Sequence, residues 1–257
     1  MSSNKTEIGF VSIVGGGPGP IDLLTLRGLE RIRKAEVILY DALLDPSFLE
    51  VFPEDSLCLY VGKRSGQHSR TQEEISGLIA EYALQGKRVV RLKGGDPSVF
   101  GRLAEELEIL KTNSIPYEII PGVSSITAGA AALQTSLTLR GVARQIIILD
   151  GHTIMEDNKS WVGMENFQGT IAILMGTRKI KELSLKLIEK GISPNTPIAI
   201  VENAGGKKEV HSFSTLECSK EKGLPKQTDG PGILYVGEAL RILLQKETNQ
   251  ETSVSLT

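Results

Sequence analysis

The sequence predicts an α/β protein of two domains, each a sheet flanked by helices. Three observations carry this. The chain has 257 residues, beyond the common single-domain size of about 100–150. Short β-branched apolar runs alternate with helix-length amphipathic segments, the order of a largely parallel sheet with helices on its faces. Glycine and proline cluster where the strands should end, and such sheets take their ligands beyond the carboxyl ends of their strands.

Ile8–Val14 is apolar and β-branched and reads as the first strand; the cluster Gly15–Pro20 then turns the chain into a periodic helical segment, Leu23–Ile32. Val37–Tyr40 and Leu57–Val61 read as the next two strands. Thr71-Gln-Glu-Glu74 offers a capping box, in which Thr71 and Glu74 satisfy each other's backbone donors, so a helix runs to about Leu84. Val89–Leu92 is a strand, broken by Lys93-Gly-Gly-Asp-Pro97 before a helix from about Val99 to Lys111, and Tyr117–Ile120 is a further strand. The small, Ala-rich Ser124–Leu133 predicts a helix that leads into the connection Thr135–Arg140, where the domain boundary falls.

The second half repeats the style, with strands near Gln145–Leu149, Thr170–Leu174, Pro197–Val201 and Ile233–Val236 and an amphipathic helix at Ile180–Lys190. Lys207–Phe213 alternates polar and apolar residues, which suits a half-exposed antiparallel strand. The domains are thus residues 1–135 and 136–246, and the polar stretch 247–257 is expected to be a frayed, disordered tail.

Apolar residues make up 40% of the chain and charged residues 23%, the balance of a globular protein. A net charge of −2 argues against a broad nucleic-acid surface. Basic patches exist locally, Lys63-Arg64 and Lys87, Arg88, Arg91, Lys93, either of which also reads as a solvated face. Cys58 and Cys218 are distant and in no metal-ligand spacing, and His68, His152 and His211 are scattered. No apolar run approaches the ~20 residues that span a bilayer, and Met1–Glu7 lacks a signal-peptide core. A cytoplasmic, metal-free protein is expected, with no nucleic-acid or membrane partner.

Gly15-Gly-Gly-Pro-Gly-Pro20 after a first strand invites a nucleotide reading, since glycine permits close backbone approach. A dinucleotide fingerprint, however, needs a glycine where Pro20 stands, and Pro18 and Pro20 have no N–H for a pyrophosphate. The loop therefore suits a ligand without phosphates, or is simply a tight strand-to-helix turn. Asp41, after the second strand, has three readings: a ribose contact, a carboxylate facing the reacting substrate, or a loop acid.

Arg91-Leu-Lys-Gly-Gly-Asp-Pro-Ser-Val-Phe-Gly-Arg102 is the most distinctive run. Gly94 and Gly95 remove side chains that would block a ligand, and Asp96 is suited to fix the loop or accept a hydrogen bond. A merely structural turn would not need basic residues on both sides. Ser124 and Ser125, after Pro121-Gly122, either cap the next helix or touch a ligand. Met175 would ordinarily be core, and only its place at a strand end suggests more.

This ordered series resembles the tetrapyrrole methylase family from about Gly9 to Leu240. The most specific matches are Val61-Gly-Lys-Arg-Ser-Gly-Gln-His68 with Gln72-Glu-Glu-Ile75, and Val90-Arg-Leu-Lys-Gly-Gly-Asp-Pro97 with Phe100-Gly-Arg102. Leu24-Thr-Leu26, Tyr40-Asp41, Pro121-Gly122, Gly151-His152, Met175-Gly176 and Val201-Glu-Asn203 support them. The resemblance implies two α/β domains with the cofactor site in the cleft between them, and usually a homodimer. It implies the cofactor S-adenosyl-L-methionine, leaving as S-adenosyl-L-homocysteine, and C-methylation of the small-molecule tetrapyrrole uroporphyrinogen III to precorrin-2, on the way to sirohaem or cobalamin.

By the same resemblance Pro18, Gly94, Gly95, Asp96, Val99, Ser124, Ser125, Met175 and Ala204 fall at cofactor-contacting positions, and Asp41 and Lys63 at the positions of proton acceptor and donor. The sequence departs from the family pattern at Pro20 (usually Asp), Leu139 (usually His), Asp150 (usually Thr) and Ala204 (more often Gly). The implied substrate carries acetate and propionate groups, for which Arg64, Arg102 and Arg140, with Lys63, are candidate partners; each charge-assisted hydrogen bond is worth about 1.5–3 kcal/mol. Rival readings are a methylase of another corrin intermediate, of diphthine or of ribosomal RNA, and a non-catalytic nucleotide sensor, which the proline-laden first loop disfavours.

Overall fold

The computed structural model describes residues 7–42, 44–62, 70–156 and 161–244. The chain divides into two compact units, Met1–Ser125 and Ile126–Thr257, each built on a five-stranded sheet.

The first unit contains β1 (Phe10–Gly15), β2 (Val37–Tyr40), β3 (Leu57–Tyr60), β4 (Arg88–Lys93) and β5 (Tyr117–Ile120), with helices α1 (Leu26–Arg33), α2 (Gln72–Leu84) and α3 (Leu103–Thr112). The strand order is β3-β2-β4-β1-β5, and every pairing is parallel. Both faces are covered, which is why the central strands read as nearly unbroken apolar runs. On one face Val11, Ile13, Val37, Leu39 and Val89 pack with Ile75 and Ile79 of α2 and Leu110 of α3. On the other, Val14, Ile38, Val90 and Leu92 meet Ile32 of α1 and Phe48.

The capping box forms as the sequence predicts: Glu74 N–H donates to Thr71 Oγ1 at 3.2 Å, and Thr71 N–H to Glu74 Oε2 at 2.6 Å. The helix expected from Val99 begins only at Leu103. Phe100 and Arg102 both have positive φ, and a Cβ on Gly101 would lie 2.4 Å from the Pro97 carbonyl oxygen. A tight loop at 96–102 therefore takes the place of the first helical turn.

The second unit holds α4 (Ser125–Ala132, counted here from its packing), β6 (Ile146–Asp150), β7 (Thr170–Leu174), α5 (Ile180–Glu189), β8 (Pro197–Glu202), β9 (Val210–Thr215), α6 (Leu216–Lys222) and β10 (Gly232–Val236). The order is β6-β7-β10-β8-β9. Only β6 and β7 run parallel; β10 is antiparallel to both neighbours, and β8 and β9 form an antiparallel pair. The second half thus repeats the element style of the first but not its strand directions. Residues 203–209 between β8 and β9 are too few for a parallel crossover, which takes a dozen or more. The half-exposed antiparallel strand expected near Lys207–Phe213 is β9, shifted to Val210–Thr215. Helix α6, capped by Thr215 Oγ1 accepting from Cys218 N–H at 3.3 Å, has no counterpart in the sequence reading.

Helix α4, which precedes the expected boundary at 135/136, finds its partner beyond it. Tyr235 Oη donates to the Ile126 carbonyl at 2.7 Å, and burial pushes the Tyr235 hydroxyl well above the ordinary tyrosine value. Gly129 makes room for that ring, since a Cβ there would lie 2.2 Å from Tyr235 Oη. A Cβ on Gly77 inside α2, by contrast, meets nothing within 4 Å. Gly77→Ala should stabilise the protein by roughly 0.5–1 kcal/mol through helix propensity. Gly129→Ala should destabilise it by about 1–3 kcal/mol by displacing a buried hydroxyl from its acceptor. Denaturant midpoints of the two variants, moving in opposite directions, check both.

Candidate active site

The carboxyl ends of β1 and β4 are joined by backbone hydrogen bonds, and the end of β5 packs closely against them. Gly16 N–H donates to the Lys93 carbonyl at 2.7 Å, Gly95 N–H to the Gly17 carbonyl at 2.7 Å, and Gly17 N–H returns to the Gly95 carbonyl at 3.2 Å. A Cβ on Gly15 would lie 2.5 Å from Gly122 N, and one on Gly122 would lie 2.2 Å from Gly95 O. No side chain fits in that junction. Gly95 differs: its φ is +68°, and a Cβ there would find its nearest neighbour, Ser125 N, only at 4.0 Å. Its open side leaves the backbone bare at that point.

Asp96 locks the junction. Its Oδ2 accepts from Gly122 N–H at 3.0 Å, and its Oδ1 accepts from Ser98 N–H at 2.8 Å and from Ser98 Oγ. Burial, the largest single influence, pushes its carboxyl up, but the hydrogen bonds from Ser98 and Gly122 together outweigh it and hold the group below the ordinary aspartate value. Of the two roles open to Asp96, the loop-fixing one is what these contacts show. Pro18, Val99, Ser124 and Ser125 are half-buried in the same unit.

Beside this junction the α2/α3 face of the sheet carries charge where apolar residues would be expected. Arg91 and Lys93 follow Val89 at alternate positions of β4, and Asp41 follows Val37 and Leu39 of β2, so period-2 alternation turns all three towards α3. There Glu106, fully buried, stands in the apolar stripe Leu103, Leu107, Leu110. Arg91 Nε donates to Glu106 Oε1 at 2.9 Å, Lys93 Nζ to the same oxygen at 2.8 Å, and Gln72 Nε2 at 3.1 Å. Arg91 Nη2 donates to Asp41 Oδ1 at 2.7 Å, while Nη1 reaches the Leu92 carbonyl at 3.1 Å. Burial and the nearby Arg91 guanidinium push the Lys93 ammonium below the ordinary lysine value, the Glu106 carboxylate offsetting this only in part. Of the four charged side chains only Asp41 reaches solvent, at 26% exposure.

Arg91 and Lys93 are therefore buried and paired, so the solvated-face reading holds only for Lys87 and Arg88 of that basic run. Arg102 is exposed and its fork binds Glu105, through Nε at 2.7 Å and Nη2 at 2.6 Å. Lys63 and Arg64 lie outside the described residues.

The remaining candidates belong to the second unit. Met175 follows β7 with φ +57° and is 54% exposed, so it is not core. Beside it a Cβ on Gly151 would lie 2.4 Å from Gly176 Cα, which joins the ends of β6 and β7 beneath the methionine. Ala204 is buried after Asn203, whose Nδ2 donates to the Lys208 carbonyl and Thr228 Oγ1. Arg140 is exposed in the turn closed by Leu139 and Ala143. Asp150, at a position of departure from the family pattern, holds the next turn by accepting from His152 N–H and Thr153 Oγ1.

Among the described residues no three of His, Cys, Asp or Glu are grouped to hold a metal, and no helix is long and apolar enough to cross a membrane. The family model of Tetrapyrrole (Corrin/Porphyrin) Methylases matches residues 11–218. The chain belongs to that family.

The chain is 40% identical over 248 residues to siroheme synthase of Actinobacillus pleuropneumoniae serotype 7, covering 96% of this chain and 50% of that protein. It is 38% identical over 239 residues to siroheme synthase of Zymomonas mobilis, covering 93% and 50%. It thus spans about half the length of these curated relatives. Among solved structures it is similar to uroporphyrin-III C-methyl transferase from Thermus thermophilus complexed with S-adenyl homocysteine, at 34% identity and TM-score 0.76, covering 91% of this chain and 100% of that one. It is also similar to cobalt precorrin-4 methyltransferase, at 27% identity and TM-score 0.75, covering 90% and 95%.

The depressed Asp96 acidity has a testable sign. Its stabilising contribution is complete above the ordinary aspartate value, near 3.9, and is lost as pH falls through the lower folded value. Asp96→Asn should therefore be less stable than the parent at pH 6, with the gap narrowing below about pH 4. Urea titrations of both proteins from pH 6 to pH 3 measure it.

Proposed function

We propose that this methylase transfers methyl groups from S-adenosyl-L-methionine to ring carbons of uroporphyrinogen III, giving precorrin-2. The observation that carries the reading is Asp41, a partly exposed carboxylate anchored by buried Arg91 at the same carboxyl edge of the sheet as the glycine junction. The relatives support this substrate over a later corrin intermediate: identity is 34% to the uroporphyrin-III enzyme and 27% to the precorrin-4 enzyme.

The donor fits the residues present. The open side of Gly95 accepts a ligand against bare backbone, and Pro18 and Pro20, without N–H groups, suit one lacking phosphates. Gly94, Gly95, Val99, Ser124 and Ser125 would hold it, with Asp96 fixing the loop; Met175 and Ala204 are assigned to the donor by the family resemblance. When bound, it supplies a methyl group already activated by a sulfonium.

The protein's work is then alignment and charge stabilisation in a preorganised site. A pyrrole carbon of the reduced macrocycle is the nucleophile, so no covalent enzyme intermediate is needed. The ring left cationic by methylation must shed a proton, and in this reading Asp41 stabilises the cation and accepts that proton. Lys63 is assigned as the proton donor by the family resemblance. Arg64, Arg102 and Arg140 are assigned to the carboxylates of the macrocycle, which requires Arg102 to exchange its present partner Glu105 for substrate. Operation in the cytoplasm as a homodimer completes the reading; the exposed free thiols of Cys58 and Cys218 suit a reducing compartment, and the family resembled is usually dimeric.

Anaerobic incubation with uroporphyrinogen III and methyl-labelled donor should give products heavier by one or two methyl groups, read by mass spectrometry; unmethylated substrate would refute the assignment. Asp41→Ala should slow turnover at least tenfold, a barrier increase of about 1.4 kcal/mol or more, with S-adenosylhomocysteine affinity by calorimetry unchanged. Arg140→Ala should raise KM for the tetrapyrrole about tenfold, in line with one lost charge-assisted contact, and leave kcat nearly unchanged. Steady-state kinetics separate the two.

A further inference from the structure

We propose that Glu106 is a positioning residue for this active site, fixing through Arg91 the direction in which the Asp41 carboxylate is presented. The proposal deepens the reading above and rests on Asp41 being the proton-handling group.

The Arg91 guanidinium is held at every corner: Nε on Glu106 Oε1, Nη1 on the Leu92 carbonyl and, at 3.5 Å, the Leu39 carbonyl, and Nη2 on Asp41 Oδ1. Because a guanidinium is planar, fixing Nε and Nη1 fixes where Nη2 points. Among the described residues Asp41 consequently receives one N–H from one direction, and its side chain keeps a face towards solvent. Glu106 also captures Lys93, so two buried cations are shared with a buried anion rather than converging on Asp41. Without Glu106, the Arg91 Nε–H would be a buried donor with no partner, and the fork would be free to turn and grip Asp41 through two N–H groups. The carboxylate would be drawn inward.

Among the described residues all three donors converge on Glu106 Oε1, while Oε2 is buried with no hydrogen-bond partner. A carboxylate placed only to neutralise two cations would be expected to use both oxygens; this one is oriented so that a single oxygen sets the approach of Arg91. A Leu or Met at this point of the stripe Leu103, Leu107, Leu110 would suit the core better.

The test uses Glu106→Gln, which keeps an acceptor and removes the charge, Glu106→Leu, which removes both, Asp41→Asn, and the double variant Glu106→Gln with Asp41→Asn, all in the full chain. We expect Glu106→Gln to lower kcat at least fivefold and Glu106→Leu further, with S-adenosylhomocysteine affinity within twofold of the parent. The double variant should be no slower than Asp41→Asn within a factor of two, because Glu106 acts through Asp41. An unchanged kcat in Glu106→Gln, or effects that multiply in the double variant, would overturn the proposal.

The Arg91 Nε–H signal in 15N-arginine spectra gives a readout independent of turnover. It should be protected from solvent exchange and should shift on both Glu106→Gln and Asp41→Asn. If Asp41→Asn leaves kcat unchanged while the signal responds to both substitutions, the chemical role of Asp41 fails and the positional link stands. A signal indifferent to Asp41 overturns the link itself.

Discussion

Three strand ends in the first unit approach so closely that only glycine fits among them, and the rest of the candidate site follows from this contact. Gly15 lies against Gly122, Gly122 against the Gly95 carbonyl, and Gly17 exchanges two backbone hydrogen bonds with Gly95. With side chains excluded, the backbone itself becomes the wall of the site, and the left-handed turn at Gly95 opens one side of it. Asp96 keeps the junction closed by bonding across to Gly122 and back to Ser98. The aspartate of the family motif is in this structure a clamp on the loops.

Next to that neutral junction lies a cluster of opposite character. Arg91, Lys93, Glu106 and Asp41 carry two positive and two negative charges, three of them almost wholly removed from water. Pairs of this kind are weak contributors to stability, yet losing one member of a buried pair costs about 3–5 kcal/mol because its partner is left uncompensated. The cluster fixes geometry at the sheet edge more than it adds to stability. Its position is set by strand alternation, which sends residues 89, 91 and 93 of β4, residues 37 and 39 of β2 and Asp41 just after it to the face covered by α2 and α3. One strand thus supplies core at its start and the charged edge at its end.

The second unit reaches a similar arrangement of loops by different strand directions. Gly151 and Gly176 press together at the ends of β6 and β7, and Met175 between them takes positive φ and projects outward. Asp150 illustrates how a departure from the family pattern is absorbed: its carboxylate bonds the following turn locally.

Much of this was legible in the residues because it depends on local physics. The capping box at Thr71, the strands Val37–Tyr40, Tyr117–Ile120 and Thr170–Leu174, and the part-exposed strand β9 are all written in spacing over a few positions. Glycine marked the strand ends because only glycine tolerates that approach, and the ordered motifs marked the family. Tertiary structure alone decided which side chains share the site. Nothing local says that α4 packs on Tyr235, that β10 inserts antiparallel between β7 and β8, or that Met175 is exposed. Glu106 left a faint trace, an acid within the Leu103, Leu107, Leu110 stripe that faces two cations on the preceding strand. Its meaning appears only when β4, β2 and α3 converge, because burial and pairing are properties of distant segments brought together and are encoded in no single one of them.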